Sequence, residues 1–587
     1  MPPLYRDAPD RVYSSLDHQL PLIRLLILQT GDAKDILQCN LGVVNLDEAP
    51  AYEALSYVWG ETTQDLNVHV AKQPMVVTDN LHAALRHLRL PDRERTVWVD
   101  ALCINQDDDE EKMHQVSMMS RIFQQCLRCI VWLGTISPDG EYTLEDSRAT
   151  FIMITLIADG GPEELPPPLS TPAGRQGAAR ALHGMMVQGN QWWKRMWTVQ
   201  EAVFPKDKLI VWETLSIPWE TCVRAARGMM KPTEEQQRVL GLLEQEIYSM
   251  DTNEFISPFL SLMMTGEEAA TMPLFIAHRW RYREATDPRD KVYGLMGLFN
   301  PTFLPSITCD YTKSPADVFT RFALDMMRQM QSLAPLIGWR GEEQATADLP
   351  SWALDMVRPE KLINWGCKFW EHWDRHRFFS AAGDSPLGLE TLRDCSVLVL
   401  KGIMVDTVTV VDEGIAADER VMVPHAEFIR TTRRRQQLVE DFYRSSGGHS
   451  GSAQANAFFR TLLGDVITRD ERVRRRAEDT DEALFDAYLV NGGWNDAIES
   501  LQSMTLNQAF IITETGYLGV GPPQARVGDQ VWILVGSRVP FLLRPKPIID
   551  AALPRSFEFL GDAYVHDIMD GQLYAARSHD VEPVWIV

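Results

Sequence analysis

The chain has 587 residues, enough for about three or four domains at roughly 150 residues each. Its composition, 45% hydrophobic and 24% charged, is that of a folded protein with a sizeable core. With 57 Lys and Arg against 81 Asp and Glu, the net charge of −24 argues against a generic binder of nucleic acid or of an anionic membrane surface.

The opening residues, MPPLYRDAPDRVYSS, have no basic region followed by an apolar core, which predicts no secretory signal. No apolar run approaches the ~20 residues of a membrane span. Eight cysteines spread through the chain suit reduced thiols in a cytoplasmic compartment. Residues 1–44 predict two strands, in LPLIRLLILQ and ILQCNLGVV, that pack on a core beginning near residue 45. YEALSYVWG (52–60) reads as a buried strand ended by Gly60. NVHV and PMVV (67–70 and 74–77) predict a hairpin. A helix capped by Asp79 or Asn80 follows, with Leu81, Leu85 and Leu88 on one face.

TVWVDALCINQ (96–106) begins as a strand and breaks into a polar loop. The acids of DDDEE (107–111) complement the dipole at the start of a helix. Met113, Val116, Met119 and Ile122 then mark that helix's core face. CIVWLG (129–134) is another buried strand. Cys126 and Cys129 form a single CxxC with no second pair at zinc spacing, so core packing is the preferred reading. Strands alternating with amphipathic helices predict an α/β core with a mostly parallel sheet, whose ligands bind at the carboxyl ends of the strands. Ser56, Tyr57, Trp59 and Gly60 lie at one such end, and Asp100, Cys103, Asn105 and Gln106 at the next.

Residues 159–177 are rich in proline and glycine and predict a loop. WKRMWTVQEA (193–202), just before a strand-like run, places Trp197 and Glu201 one helical turn apart. Residues 206–395 read as mainly helical, and 396–587 as a mixed region. The latter has a strand at 396–411, a flexible insert near 444–455 and a β-rich, barrel- or sandwich-like module from Phe510. The mixed-sign cluster RDERVRRRAED (469–479) reads as a solvated helix face, and GYLGVG (516–521) as turns, since no helix pattern follows it.

At YEALSYVWG, VWVDALCINQDDDEE and RMWTVQE, with WLG between the second and third, the sequence resembles the HET domain of fungal heterokaryon-incompatibility proteins. The second motif departs slightly from the family pattern, ending in DDDEEK. Further family-like stretches are IRLLIL, ATDPRDKVYGLMGL, LPSWALD and residues 516–545, so the resemblance touches most of the chain, its functional part being 45–205. HET domains look in turn like distant relatives of TIR domains, of flavodoxin-like α/β fold. YEALSY is similar to the TIR opening strand, and Trp197 with Glu201 to a tryptophan and glutamate at the same spacing.

The resemblance implies an effector of self/non-self recognition and programmed cell death, acting by cleavage of NAD at the nicotinamide–ribose bond. NAD is then a substrate, no cofactor or metal is required, and self-association or another incompatibility protein completes the system. Glu201 inherits the catalytic role; Ser56, Tyr57, Trp59, Gly60, Asp100, Cys103, Asn105, Gln106, Arg195 and Trp197 are the candidate binding residues. A structural reading stands beside each. Glu201 is equally a helix-start acid paired with Arg195 or Lys194, Asp100 a turn cap, and Asn105 and Gln106 loop locks. A cysteine hydrolase built on Cys103 needs a histidine beside it. The alternative from another class is a non-catalytic interaction module with a vestigial pocket.

Overall fold

The computed structural model describes residues 5–587 except 7–11, 33–34, 63–65, 138, 187–188, 244–251, 269–272, 300–302, 304–305, 339–344, 358–371, 416–422, 447–451, 470–472, 493–495 and 548–554. The chain divides into two units, residues 1–304 with 308–313, and residues 305–307 with 314–587. The predicted insert near 444–455 falls partly outside the described residues.

The first unit is built on a ten-stranded sheet. Its strands are β1 (Tyr5–Arg6), β2 (Leu22–Leu28), β3 (Gln38–Asn45), β4 (Glu53–Tyr57), β5 (Asn67–Val70), β6 (Gln73–Val76), β7 (Arg95–Trp98), β8 (Arg128–Trp132), β9 (Lys208–Trp212) and β10 (Leu215–Pro218). The order is β10-β9-β8-β4-β7-β2-β3-β5-β6, with β1 on β3. The parallel prediction holds for the centre, where β9, β8, β4 and β7 run parallel, as do β3 and β5. The remaining pairs are antiparallel, so the sheet is mixed rather than mostly parallel. The reason is local: β2–β3, β5–β6 and β9–β10 are hairpins or near-neighbours in sequence, and short connections enforce antiparallel pairing.

Leu81, Ala84, Leu85 and Leu88 are the buried face of α1 (Asp79–Leu88), whose cap is Thr78 rather than Asp79 or Asn80. A short helix, α2 (Asp100–Cys103), replaces the predicted polar loop after β7. α3 (Asp109–Gln125) starts on the acidic run with Asp108 as cap and buries Met118, Met119, Ile122 and Phe123. α4 (Leu144–Asp159) and α5 (Pro172–Met185) follow, so the predicted loop is confined to 160–171 and Pro172 opens a helix capped by Thr171. α6 (Thr198–Val203) carries Glu201. Two strands, β9 and β10, interrupt the region expected to be helical, before α7 (Trp219–Met230).

From β4 the chain reaches β7 on one side of β4, then crosses by α3 to β8 on its other side. The carboxyl end of β4 is therefore the switch point, where an open α/β sheet leaves a crevice. β4 depends on neighbours outside 45–205. β7 is backed by β2, and β8 by β9. A fragment of residues 45–205 exposes both sheet edges and is expected to lack a cooperative thermal transition, whereas residues 12–313 retain one; differential scanning calorimetry of the two fragments checks this.

The second unit has a nine-stranded assembly organised on β12 (Val397–Asp412), with β11 (Glu390–Leu392) paired at its start. Its other strands are β15 (Ala509–Thr513), β16 (Leu518–Gly521), β17 (Gln530–Leu534), β18 (Phe541–Pro545), β19 (Ser556–Asp562), β20 (Tyr564–Val565) and β21 (Glu582–Ile586). β12 pairs with β21, β17 and β15 along its length. Pairings β12–β17–β18–β19–β21 return to β12, giving the barrel-like character. Val408, Ile511, Val531, Ile533, Leu542 and Leu560 fill its core. Part of GYLGVG is strand β16, and the basic cluster, where it is described, is not the expected helix. It forms the hairpin of β13 (Val466–Arg469) and β14 (Val473–Arg476), with Arg475 paired to Asp481 and Arg476 to Asp465.

Candidate active site

Two elements set the site. β4 delivers Ser56 and Tyr57 to the crevice, and α6 brings Glu201 against them. The position of α6 is fixed from both ends. Before it, the turn Gln191–Lys194 inserts Trp192 and Trp193 into an aromatic cluster. Their rings lie 4.8 Å apart, and Trp193 is 5.1 Å from Phe259 and 5.9 Å from Trp219. Such pairs contribute about 0.5–1.5 kcal/mol each beyond their buried area. From the other side, residues 281–297 grip α6. Gln200 Nε2 donates to the carbonyls of Gly294 (2.8 Å) and Tyr293 (3.3 Å), and Met196 N donates to Glu284 O at 2.8 Å.

Glu201 is 7% exposed. Its Oε2 accepts a hydrogen bond of 2.5 Å from Ser56 Oγ, which itself accepts one of 2.8 Å from Trp192 Nε1. Among the described residues the carboxylate has no ion-pair partner within 4.0 Å, neither Arg195 nor Lys194. Burial pushes its pKa up to about 7, against the opposing effects of the Ser56 hydrogen bond and the Arg195 charge; the Asp100 charge adds to the rise.

Asp100 opens α2. Its Oδ2 accepts from Trp59 Nε1 and its Oδ1 from Ala101 N, both at 2.7 Å. Burial raises its pKa too, opposed by the Trp59 hydrogen bond and then by the Arg195 charge. Two carboxyls thus repel each other across a site in which Arg195 favours the ionised form of both. Tyr57 is buried and its hydroxyl closes no hydrogen bond, although it lies within electrostatic reach of Asp100. Burial, then the Asp100 charge, raise its pKa well above 10, so the phenol is neutral. Trp59, 37% exposed, is the solvent-facing aromatic of the group, and Gly60 turns the chain away from it with φ +72°.

The other candidates serve different partners. Cys103 is buried, its Sγ accepts from Val99 N at 3.3 Å, and burial pushes its thiol up to about 12; that is a core cysteine, not a thiolate nucleophile. Asn105 Oδ1 accepts from Asp107 N at 3.3 Å, and Asn105 N donates to Glu111 Oε1 at 2.7 Å, a loop lock. Gln106 Nε2 donates to Asp100 O at 3.2 Å and so steadies the start of α2. Trp197 shares a helical turn with Glu201 through Glu201 N and Trp197 O, 3.3 Å apart, but its side chain stabilises the Asp290 carboxylate together with the Tyr311 hydroxyl.

Three contributors were not anticipated. Trp192 supplies the aromatic partner of the Ser56–Glu201 pair. Asn80 clasps two strand ends, donating to Val58 O at 2.6 Å and accepting from Trp132 Nε1 at 2.8 Å. Arg283 is buried, donates to Thr198 Oγ1 at 2.8 Å, and its charge favours ionised Glu201. The WW doublet at 192–193 was a visible signal; nothing near Arg283 in sequence points to Glu201.

The model of the heterokaryon incompatibility protein (HET) family matches residues 52–201, which span the whole Ser56–Asp100–Glu201 constellation. That of the Het-6 beta-barrel domain matches residues 482–582, within the second unit. Heterokaryon incompatibility protein 6, OR allele, of Neurospora crassa is 25% identical over 672 aligned positions, covering 94% of each chain. No solved structure matches. Among the described residues no helix is long and apolar enough to cross a membrane. The chain thus carries a HET domain in its first unit and a Het-6 barrel domain in its second, and is similar along nearly its whole length to a fungal heterokaryon-incompatibility protein.

Proposed function

We propose that this protein is an effector of heterokaryon incompatibility that cleaves NAD at the nicotinamide–ribose bond and thereby drives cell death, in the cytoplasm and on self-association. One observation carries the catalytic reading. Glu201 is a buried carboxyl, free of any ion pair among the described residues, held by a hydroxyl at the switch point of the sheet. As the C1′–N bond breaks, its electrons leave with neutral nicotinamide, and the ionised Glu201 stabilises the oxocarbenium left at C1′. Water then adds at C1′ and gives its proton to the carboxylate. Trp59 offers a face for the nicotinamide ring, Asp100 an acceptor for ribose hydroxyls, and Arg195 a cation for the pyrophosphate.

Nicotinamide release, followed across a protein concentration series with the full chain and with Glu201→Ala, tests the reading. The expected outcome is release that grows faster than linearly with protein and falls at least ~100-fold in the variant. The low exposure of Glu201 favours a second reading, a non-catalytic interaction module with a closed pocket. No release at any concentration, with both proteins folded, selects it.

A further inference from the structure

We infer that Ser56 and Trp192 are positioning residues that dedicate Oε2 of Glu201 to the protein and leave Oε1 as the single oxygen for chemistry. The inference rests on the catalytic reading of Glu201 above.

The argument is one of donor and acceptor counting. An indole N–H only donates, and a serine hydroxyl has one hydrogen and two lone pairs. Trp192 Nε1 lies 2.8 Å from Ser56 Oγ, so it occupies one of those lone pairs. The Ser56 hydrogen is then directed to Glu201 Oε2, 2.5 Å away. The chain of bonds has one direction, from indole to hydroxyl to carboxylate. Oε2 is an acceptor in that chain, and the proton that a carboxyl of pKa about 7 takes up near neutrality resides on Oε1.

The geometry is rigid because each member is locked independently. Trp192 is fully buried, edge-on to Trp193 with planes at 88° and 6.1 Å from Trp219. Ser56 sits on β4 opposite Val131 of β8. Glu201 lies on α6, which Gln200 ties to residues 293–294. An isolated carboxyl rotates freely about its last torsion and presents either oxygen. This one is held by a bond whose donor is itself held, the arrangement that keeps a reacting oxygen within a few tenths of an ångström of its target.

The test uses the full chain labelled with ¹³C at glutamate carboxyls, with the Glu201 signal assigned by its loss in Glu201→Gln. Ser56→Ala removes the hydrogen bond to the charged form. The Glu201 titration midpoint is expected to rise from about 7 by at least about one pH unit, a tenfold change in its ionisation constant. Ser56→Thr, which keeps the hydroxyl, is expected to hold the midpoint near that of the parent. Trp192→Phe keeps an aromatic ring in the cluster and removes the N–H, and its expected effect, in a protein shown to be folded, is a tenfold fall in kcat for nicotinamide release with KM unchanged. An unmoved midpoint in folded Ser56→Ala overturns the inference whatever the activity. A moved midpoint in a protein that never releases nicotinamide leaves the hydrogen-bond chain intact and sinks the catalytic reading instead.

Discussion

Glu201→Gln is expected to make the first unit more stable, by about 3 kcal/mol at pH 8, and to confer little at pH 4.5. Burial lifts the folded-state pKa from 4.5 to about 7. Between those values the folded state holds a proton that the unfolded chain has released. Stability therefore falls as pH rises through this window, and the cost of the buried charge is fully present above the folded pKa. Glutamine keeps the acceptor for Ser56 Oγ and carries no charge, so it removes that cost. Thermal melts of parent and variant at the two pH values are the check. A gain on the order of 5 °C at pH 8 that disappears at pH 4.5 is the expected pattern. Equal gains at both values would assign the effect to packing rather than charge. On the proposed catalytic reading, a chain that keeps an acid where an amide is more stable trades stability for function.

Arg24→Met is expected to destabilise the first unit by about 3–5 kcal/mol, measured by urea denaturation. Arg24 and Glu111 are the most buried ion pair of that unit among the described residues, with side-chain exposures of 0% and 2% and a 2.5 Å contact. Arg24 also donates to Cys103 O at 3.2 Å, and Glu111 Oε1 accepts from Asn105 N at 2.7 Å. Removing the cation leaves a carboxylate desolvated and unpaired, which costs more than the pair contributes. Replacing both partners, Arg24→Met with Glu111→Leu, is expected to recover most of the loss, with about 1 kcal/mol remaining for the Asn105 amide. If the double variant is no better than the single one, the loss comes from packing. The pair also reaches the site: Asn105 precedes Gln106, which holds the Asp100 carbonyl.

What the sequence disclosed was local. The three motifs fall on β4, on β7 with α2, and on α6, because apolar runs ended by glycine or polar residues mark strand ends. Ser56 and Asp100 therefore came out as neighbours at strand ends, whereas only the family resemblance pointed to Glu201. β9 is the strand-like run that follows residues 193–202, but β10 was lost in a region read as largely helical. LSIP is a short run whose periodicity does not separate strand from buried helix, and the tight turn that leads into it from KLIVW is made by Glu213 at φ +53° rather than by a glycine. The arginine-rich cluster misled for a related reason. In β14 consecutive arginines point to opposite sides, so composition carried no alternation. The roles of Trp192, Asn80 and Arg283 depend on partners 136, 52 and 85 residues away, and no window along the chain contains them.

The grip of residues 281–297 on α6 has a consequence in time. Glu201 leaves the ribosome about a hundred residues ahead of Gly294, whose carbonyl secures Gln200. At typical synthesis rates that interval lasts roughly 5 to 20 s. During it the carboxylate has been made but the helix that aims it is held from one side only. On the proposed catalytic reading, a polypeptide terminated early, or one still being translated, is thus inert, and activity arises only in a chain whose first unit has been completed.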